Sequence, residues 1–149
     1  MKRDFKKAPP SMLINGLSKL FNDRMRQKTE ALGMADGWRR MLFHLSHNES
    51  LTQLELAKKT HLSTPAVSVT LQKMEAEGLV TRHADPHDQR AIRVQLTEAG
   101  HEADRKVVAA IRETEAEMLS GISEEEFEAL RSVLIKMYHN LGDEKECKE

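Results

Sequence analysis

Residues 52–96 read TQLELAKKTHLSTPAVSVTLQKMEAEGLVTRHADPHDQRAIRVQL, and the punctuation of that stretch decides the fold. Thr52-Gln53-Leu54-Glu55 has the form of a capping box, a hydroxyl at the N-cap and a glutamate three residues on that reaches back to it. Leu54, Ala57 and Lys58 follow at helical spacing, with Ala57 small enough to let a second helix approach closely. A turn falls at Thr60-His61-Leu62. Ser63 is placed to cap the next helix, and Pro65 is tolerated in its first turn, where its missing N–H would have no partner anyway. Val67, Leu71 and Met74 recur at i, i+4 and i+7, so they are expected to face the core. Gly78 supplies a left-handed stop. Leu79, Val80 and Arg82, then Ile92, Val94 and Leu96, mark two short strands around the polar tip Asp85-Pro86-His87-Asp88-Gln89-Arg90.

Helix, turn, helix, glycine stop, strand, charged tip, strand is the order of a winged helix-turn-helix, which lays one helix in a DNA major groove and a hairpin beside it. The face of the second helix away from its core positions carries Thr64, Ala66, Ser68, Val69, Gln72 and Lys73. It is small and polar near the N-terminus, as entry into a groove about 12 Å wide requires. The expected DNA contacts are Ser63, Thr64, Pro65, Ser68, Val69, Gln72, Lys73, Arg82, His87, Asp88 and Arg90. Ser68 and Gln72 would read base edges, and Lys73 and Arg82 would position phosphates. Arg90 would enter the minor groove, whose negative potential attracts guanidinium, with Asp88 holding it by a charge-assisted hydrogen bond. For Val69 two readings stand side by side, contact with a thymine methyl or a neutral exposed residue. The competing account of the segment is an ordinary helical hairpin packed in a core. The wing weighs against it, because capping boxes and helix pairs alone are common.

The runs LAKKTHLS (56–63) and PAVSVTLQKMEAEGLV (65–80), the D-x-x-D-x-R wing (85–90) and the closing VQLTEAG (94–100) together resemble the MarR family of bacterial regulators. These motifs span roughly a third of the chain, and the flanking helices fit the family's length and order. The resemblance implies a homodimer, a pseudo-palindromic DNA site, and a small ligand or oxidant that weakens DNA binding. Two departures matter. The family's wing usually carries an arginine where His87 stands. That contact is then either lost at neutral pH or dependent on proton uptake, since histidine as a class titrates at about 6.5. Many members also carry an arginine or lysine where this helix has Val69.

At 149 residues the chain suffices for one domain or for one subunit of a compact dimer. Hydrophobic residues at 39% and charged residues at 32% suit a helical protein with a charged surface. The absence of an 18-residue apolar run predicts no membrane span, and the N-terminal MKRDFKKAPPSM lacks the apolar core of a secretory signal, so a cytoplasmic location is expected. The net charge of −1 hides a gradient. Residues 1–50 hold ten Lys/Arg against five Asp/Glu, residues 51–96 six against five, and residues 97–149 seven against fourteen. The acidic last third should face away from DNA. Cys147 is the sole cysteine, which rules out an intrachain disulfide. The reactive N-terminal cysteine of the family's peroxide-sensing branch has no counterpart, and Cys147 reads as an incidental thiol.

A first helix is expected from about Ser11 to Leu32, with Leu13, Leu17, Leu20 and Phe21 as its apolar stripe, Pro9-Pro10 before it and Gly33 after. A second begins near Asp36 and turns Trp38, Met41, Leu42 and Leu45 to the core. Thr97 caps a long helix running to about Leu119. Ser123 and Glu126 form a second capping box, opening a last helix with Phe127, Leu130, Val133, Leu134, Met137, Tyr138 and Leu141. That apolar face is wide for so small a domain. Packing against the long helix would absorb it, and packing against a second subunit, which the resemblance implies, would absorb it better. The fold expected is mainly α with a small β-wing (α+β), a winged helix-turn-helix at 36–97 with N- and C-terminal dimerisation helices at 1–35 and 98–149.

The sequence carries no Gly-rich phosphate loop, HExxH or GxSxG, so no enzyme and no cofactor are expected. His44 and His47 are spaced i, i+3, with Glu30 or His101 as conceivable additions. Two ligands do not make a zinc site, and no metal is expected. Arg39, Phe43 and His47 form a second face of their helix that suits a small aromatic carboxylate, as an effector of DNA binding. The plainer reading makes Arg39 a surface cation and Phe43 a dimer-core residue. The function expected is a dimeric DNA-binding transcriptional regulator, a repressor released from a pseudo-palindromic operator by a small ligand. Its partners would be double-stranded DNA and a second copy of the chain, with no membrane. The alternatives are a winged helix that docks on another protein and a metal-responsive regulator.

Overall fold

A computed structural model describes residues 5–35 and 37–142. The expected start at Asp36 and the thiol of Cys147 lie outside them. The chain divides into two compact units, Met1–Thr114 and Glu115–Glu149.

The first unit opens with a short 3-10 turn, Phe5–Lys7, and helix α1, Pro10–Ala31, which has Pro10 in its first turn. Helix α2, Trp38–Ser46, buries Trp38, Met41, Leu42 and Leu45, the four expected. A two-residue strand, β1 (Leu51–Thr52), leads into α3 (Gln53–Thr60) and α4 (Thr64–Ala76). Strands β2 (Val80–Ala84) and β3 (Ile92–Leu96) form the wing, and α5 (Glu98–Met118) follows. The sheet is antiparallel in the order β1-β3-β2. Val94 is the pivot of its register, facing Arg82 on one side and Leu51 on the other. Strand β1 is an addition to the two strands expected.

Caps set the boundaries of the two central helices. Thr52 Oγ1 accepts from the Glu55 amide at 3.1 Å, and the Glu55 carboxylate accepts from the Thr52 amide at 2.7 Å. That backbone N–H holds the Glu55 carboxyl below its ordinary range. Ser63 Oγ accepts from Ala66 N at 3.3 Å. The turn between the helices puts His61 in the left-handed region at φ 54°. Val67, Leu71 and Met74 are fully buried, as their spacing predicts. In α3 the phase differs from the expectation. Ala57 is buried as expected, but Leu54 is 56% exposed, and Gln53, Leu56 and Thr60 turn inward with Ala57. One core joins Leu56, Ala57, Val67, Leu71 and Met74 to α2, to Val80 and Val94 of the sheet, and to Ala103 and Val107 of α5.

Helix α5 is locked onto the end of α4. The Thr97 amide donates to the Leu79 carbonyl at 3.0 Å, and the Thr97 hydroxyl donates to the carbonyl of Gly78. Thr97 Oγ1 in turn accepts from Gly100 N at 3.1 Å. A Cβ on Gly100 would lie 2.1 Å from the Leu79 carbonyl oxygen, so only glycine lets the helix come this close.

In α1 the buried residues are Met25 and Thr29, while Met12, Leu13, Ile14, Leu17 and Leu20 are exposed. The second unit contains α6 (Glu124–Leu141), opened by the expected capping box of Ser123 and Glu126. No described residue of α6 is buried, although Leu130, Val133, Leu134, Ile135 and Tyr138 lie along it. No helix among the described residues is long and apolar enough to cross a membrane.

Candidate nucleic-acid interface

Two features bracket the candidate interface, the outward face of α4 and the tip between β2 and β3. At 100° per residue, Pro65, Val69 and Gln72 point away from the buried triplet, Val69 roughly 170° round from its mean direction. Ser63, Thr64, Pro65, Gln72 and Lys73 are exposed, Ser68 is half-buried, and Val69 is 53% exposed. The core thus fixes the orientation of α4, and of its residues expected to meet DNA all but the half-buried Ser68 are left outside.

The wing is braced at its root by a residue that the sequence reading did not single out. Asp85 is buried, and one carboxylate oxygen accepts from the amides of His87 at 2.7 Å and Asp88 at 3.2 Å. The other accepts from Arg93 Nε, and Arg93 Nη1 donates to Ser50 Oγ at 2.9 Å. The His87 amide, and then the Arg93 guanidinium, hold the Asp85 carboxyl below its usual range. Asp85 is the first aspartate of the D-x-x-D-x-R pattern, which was the available signal.

Two expected roles change. Asp88 Oδ1 accepts from the backbone amide of Arg90 at 3.0 Å, so it orders the turn without gripping the guanidinium. Arg82 is not a free phosphate contact. Its Nη2 donates to Glu75 Oε1 at 3.1 Å and its Nη1 to Gln53 Oε1 at 3.3 Å, which ties β2 to α4 and α3. The pairing lowers the Glu75 pKa, first through the Arg82 hydrogen bond. Arg82 faces inward because it lies on the same side of β2 as Val80, at period two. By contrast, the Lys73 ammonium and the Arg90 guanidinium have no hydrogen bond or ion pair among the described residues. His87, Asp88 and Arg90 are all exposed at the tip.

The three candidate effector residues do not share one pocket. Arg39 Nη2 donates to Asn22 Oδ1 of α1 at 2.9 Å, and Arg39 lines a cavity of about 300 Å³ with Asn22, Asp23, Arg26, Thr29 and Arg40. In the same wall a hydrogen bond from Lys19 lowers the pKa of Asp23. His47 lies past the end of α2, where its Nδ1 donates to the Phe43 carbonyl at 2.7 Å and its ring packs 4.5 Å from that of Phe43. It lines a different hollow, with Ser46, Gln95 and His101. Phe43 is 53% exposed and lines neither. The i, i+4, i+8 spacing fails because α2 ends at Ser46, before the third residue. Among the described residues, no three His, Cys, Asp or Glu side chains come together as a metal site.

Against known proteins, a family model described as the MarR family matches residues 32–91, from just past α1 to the tip of the wing, ending before β3. A transcriptional regulator of the MarR family from Silicibacter pomeroyi is 31% identical. It superposes with a TM-score of 0.68 over 87% of this chain and 88% of that one. A mutant of MepR from S. aureus is 28% identical and superposes at 0.80, over 91% of this chain and 100% of its own. The S. aureus MepR–DNA complex gives 0.75 with the same identity and coverage.

Proposed function

The chain belongs to the MarR family of transcriptional regulators, and on that footing we propose that it acts as a dimeric DNA-binding repressor, released from its operator by a small acidic ligand. The observation that carries the reading is the outward face of α4. Its core side is fully committed to packing, while its outer side keeps small and polar groups around Val69, beside the unpaired cation of Lys73. Ser68 and Gln72 read base edges, with Ser63, Thr64 and Pro65 at the helix start, where backbone N–H groups favour a phosphate. Arg90, held forward by the turn that Asp85 and Asp88 order, reaches the adjacent minor groove, with His87 beside it. Arg82 serves indirectly, by fixing the angle between α4 and the wing. MepR, a relative of the same architecture, is known in complex with DNA, which supports this assignment.

Residues 36–97 form the winged helix-turn-helix of the proposal, and residues 1–35 and 98–149 the dimerisation region. The exposed apolar residues of α1 and those of α6 are the support for a second copy. Two recognition helices about 34 Å apart would then read successive faces of the major groove. For the effector, the cavity on Arg39 is the better half of the expected site, since Arg26, Arg39 and Arg40 offer guanidinium groups to a carboxylate.

The test is a mobility shift with DNA from upstream of the protein's own gene, at two salt concentrations. Tight binding with a steep salt slope is the expected result, because each neutralised phosphate releases counterions. A folded protein that binds no DNA at low salt would sink the reading.

A further inference from the structure

The centre of the outward face of α4 is apolar. Val69 is 53% exposed, stands nearly opposite Val67, Leu71 and Met74, and has Pro65 one turn before it. The next group along that line is the amide of Gln72. The neighbouring hydroxyl of Thr70 is turned back onto the Ala66 carbonyl at 2.9 Å, so it does not compete for the same space. An aliphatic side chain pressed against base edges would strip water from their donors and acceptors and return no hydrogen bond. The major groove holds one apolar group, the C5-methyl of thymine. A stiff, β-branched valine therefore gains on entering the groove at a thymine and loses elsewhere. Gln72, three residues on, carries the amide that pairs with the N6 and N7 of adenine. Both neighbours on this line thus favour A·T pairs.

We propose that Val69 selects thymine at the centre of each half-site, through contact with the C5-methyl group. The inference rests on the DNA-binding reading above and names the base that the reading leaves open. The full-length protein is used to select binders from duplexes with a randomised centre. The selected duplex is then prepared twice, with thymine and with deoxyuridine, which differ by that methyl alone. The expected result is a selected half-site containing a fixed thymine, with binding weakened about four-fold for each half-site on the change to deoxyuridine, the size expected for one buried methyl. Val69→Ala should bind the two duplexes nearly alike.

A half-site without a fixed thymine, or equal binding of the two duplexes by the native chain, overturns the role of Val69 while DNA binding stands. Retention of the full difference in Val69→Ala also overturns it, because the methyl would then be read by another group or through duplex shape. If no duplex is enriched, the DNA-binding reading falls and this inference with it.

Discussion

Arg90 and Asp85 sit five residues apart and do opposite work. Arg90 has no hold on the rest of the chain through its guanidinium, so Arg90→Ala should leave the unfolding midpoint unchanged while weakening binding to all duplexes. A mobility shift beside a urea titration checks both halves. Asp85 is internal, and its lowered pKa makes it a pH-dependent brace. Its contribution is fully present above the ordinary carboxylate range and is lost as pH falls through the lowered folded value. Asp85→Asn should therefore unfold at lower urea than the native chain near pH 7, and the gap should close below about pH 4. His61 gives a third case. Its left-handed φ of 54° costs about 1–2 kcal/mol in a residue with a Cβ, but glycine adds unfolded-state entropy of roughly 0.5–1 kcal/mol. The terms partly offset, so His61→Gly should shift stability by less than about 1.5 kcal/mol, whereas His61→Val, whose branched Cβ makes this region an outlier, should unfold at lower urea than the native chain. The kinds of charge at the wing were legible in the sequence. Their partners were not, since Arg82, Arg90 and Arg93 look alike until the strand register separates them.

Among the elements, those with chemical punctuation were readable. Thr52, Ser63 and Ser123 cap the helices they were expected to cap, and Gly78, at φ 74°, ends α4. Strand β1 was not readable, because two residues show no periodicity and its identity lies in pairing with β3. The phase of α3 was misread for a related reason. Eight residues make about two turns, and the segment holds apolar side chains at Leu54, Leu56 and Ala57, so spacing alone does not say which face is buried. The effector face failed at a helix end, where a count of residues outran α2. The seat of α5 gives the element-level prediction. Gly100→Ala would force the helix away from Leu79, where the obstacle is backbone and does not yield as a flexible side chain would. Overpacking of this kind costs typically 1–3 kcal/mol, to be read as a lower unfolding midpoint.

At the scale of the molecule, the exposed apolar side chains outweigh what a lone chain needs. Helix α6 buries none of its described residues, and an 18-residue helix has little stability in water by itself. If a second copy covers these surfaces, the apparent melting temperature should rise with protein concentration, as mass action requires. Leu134→Asp should yield a slower-associating or monomeric species by analytical ultracentrifugation. A concentration-independent melt would remove the dimer from the mechanism. The joint between sheet and helices is held more narrowly. Thr52 is at once the last residue of β1, opposite Arg93, and the N-cap of α3. The strand favours branching at Cβ, and the cap requires a short side chain whose oxygen reaches the amide three residues on. Valine meets the first demand, and aspartate or serine the second. Threonine alone among the twenty amino acids joins a branched Cβ to a capping oxygen, so one letter is read in two grammars at once, and a replacement there gives up about 0.5–2 kcal/mol of the cap or up to about 1 kcal/mol of the strand.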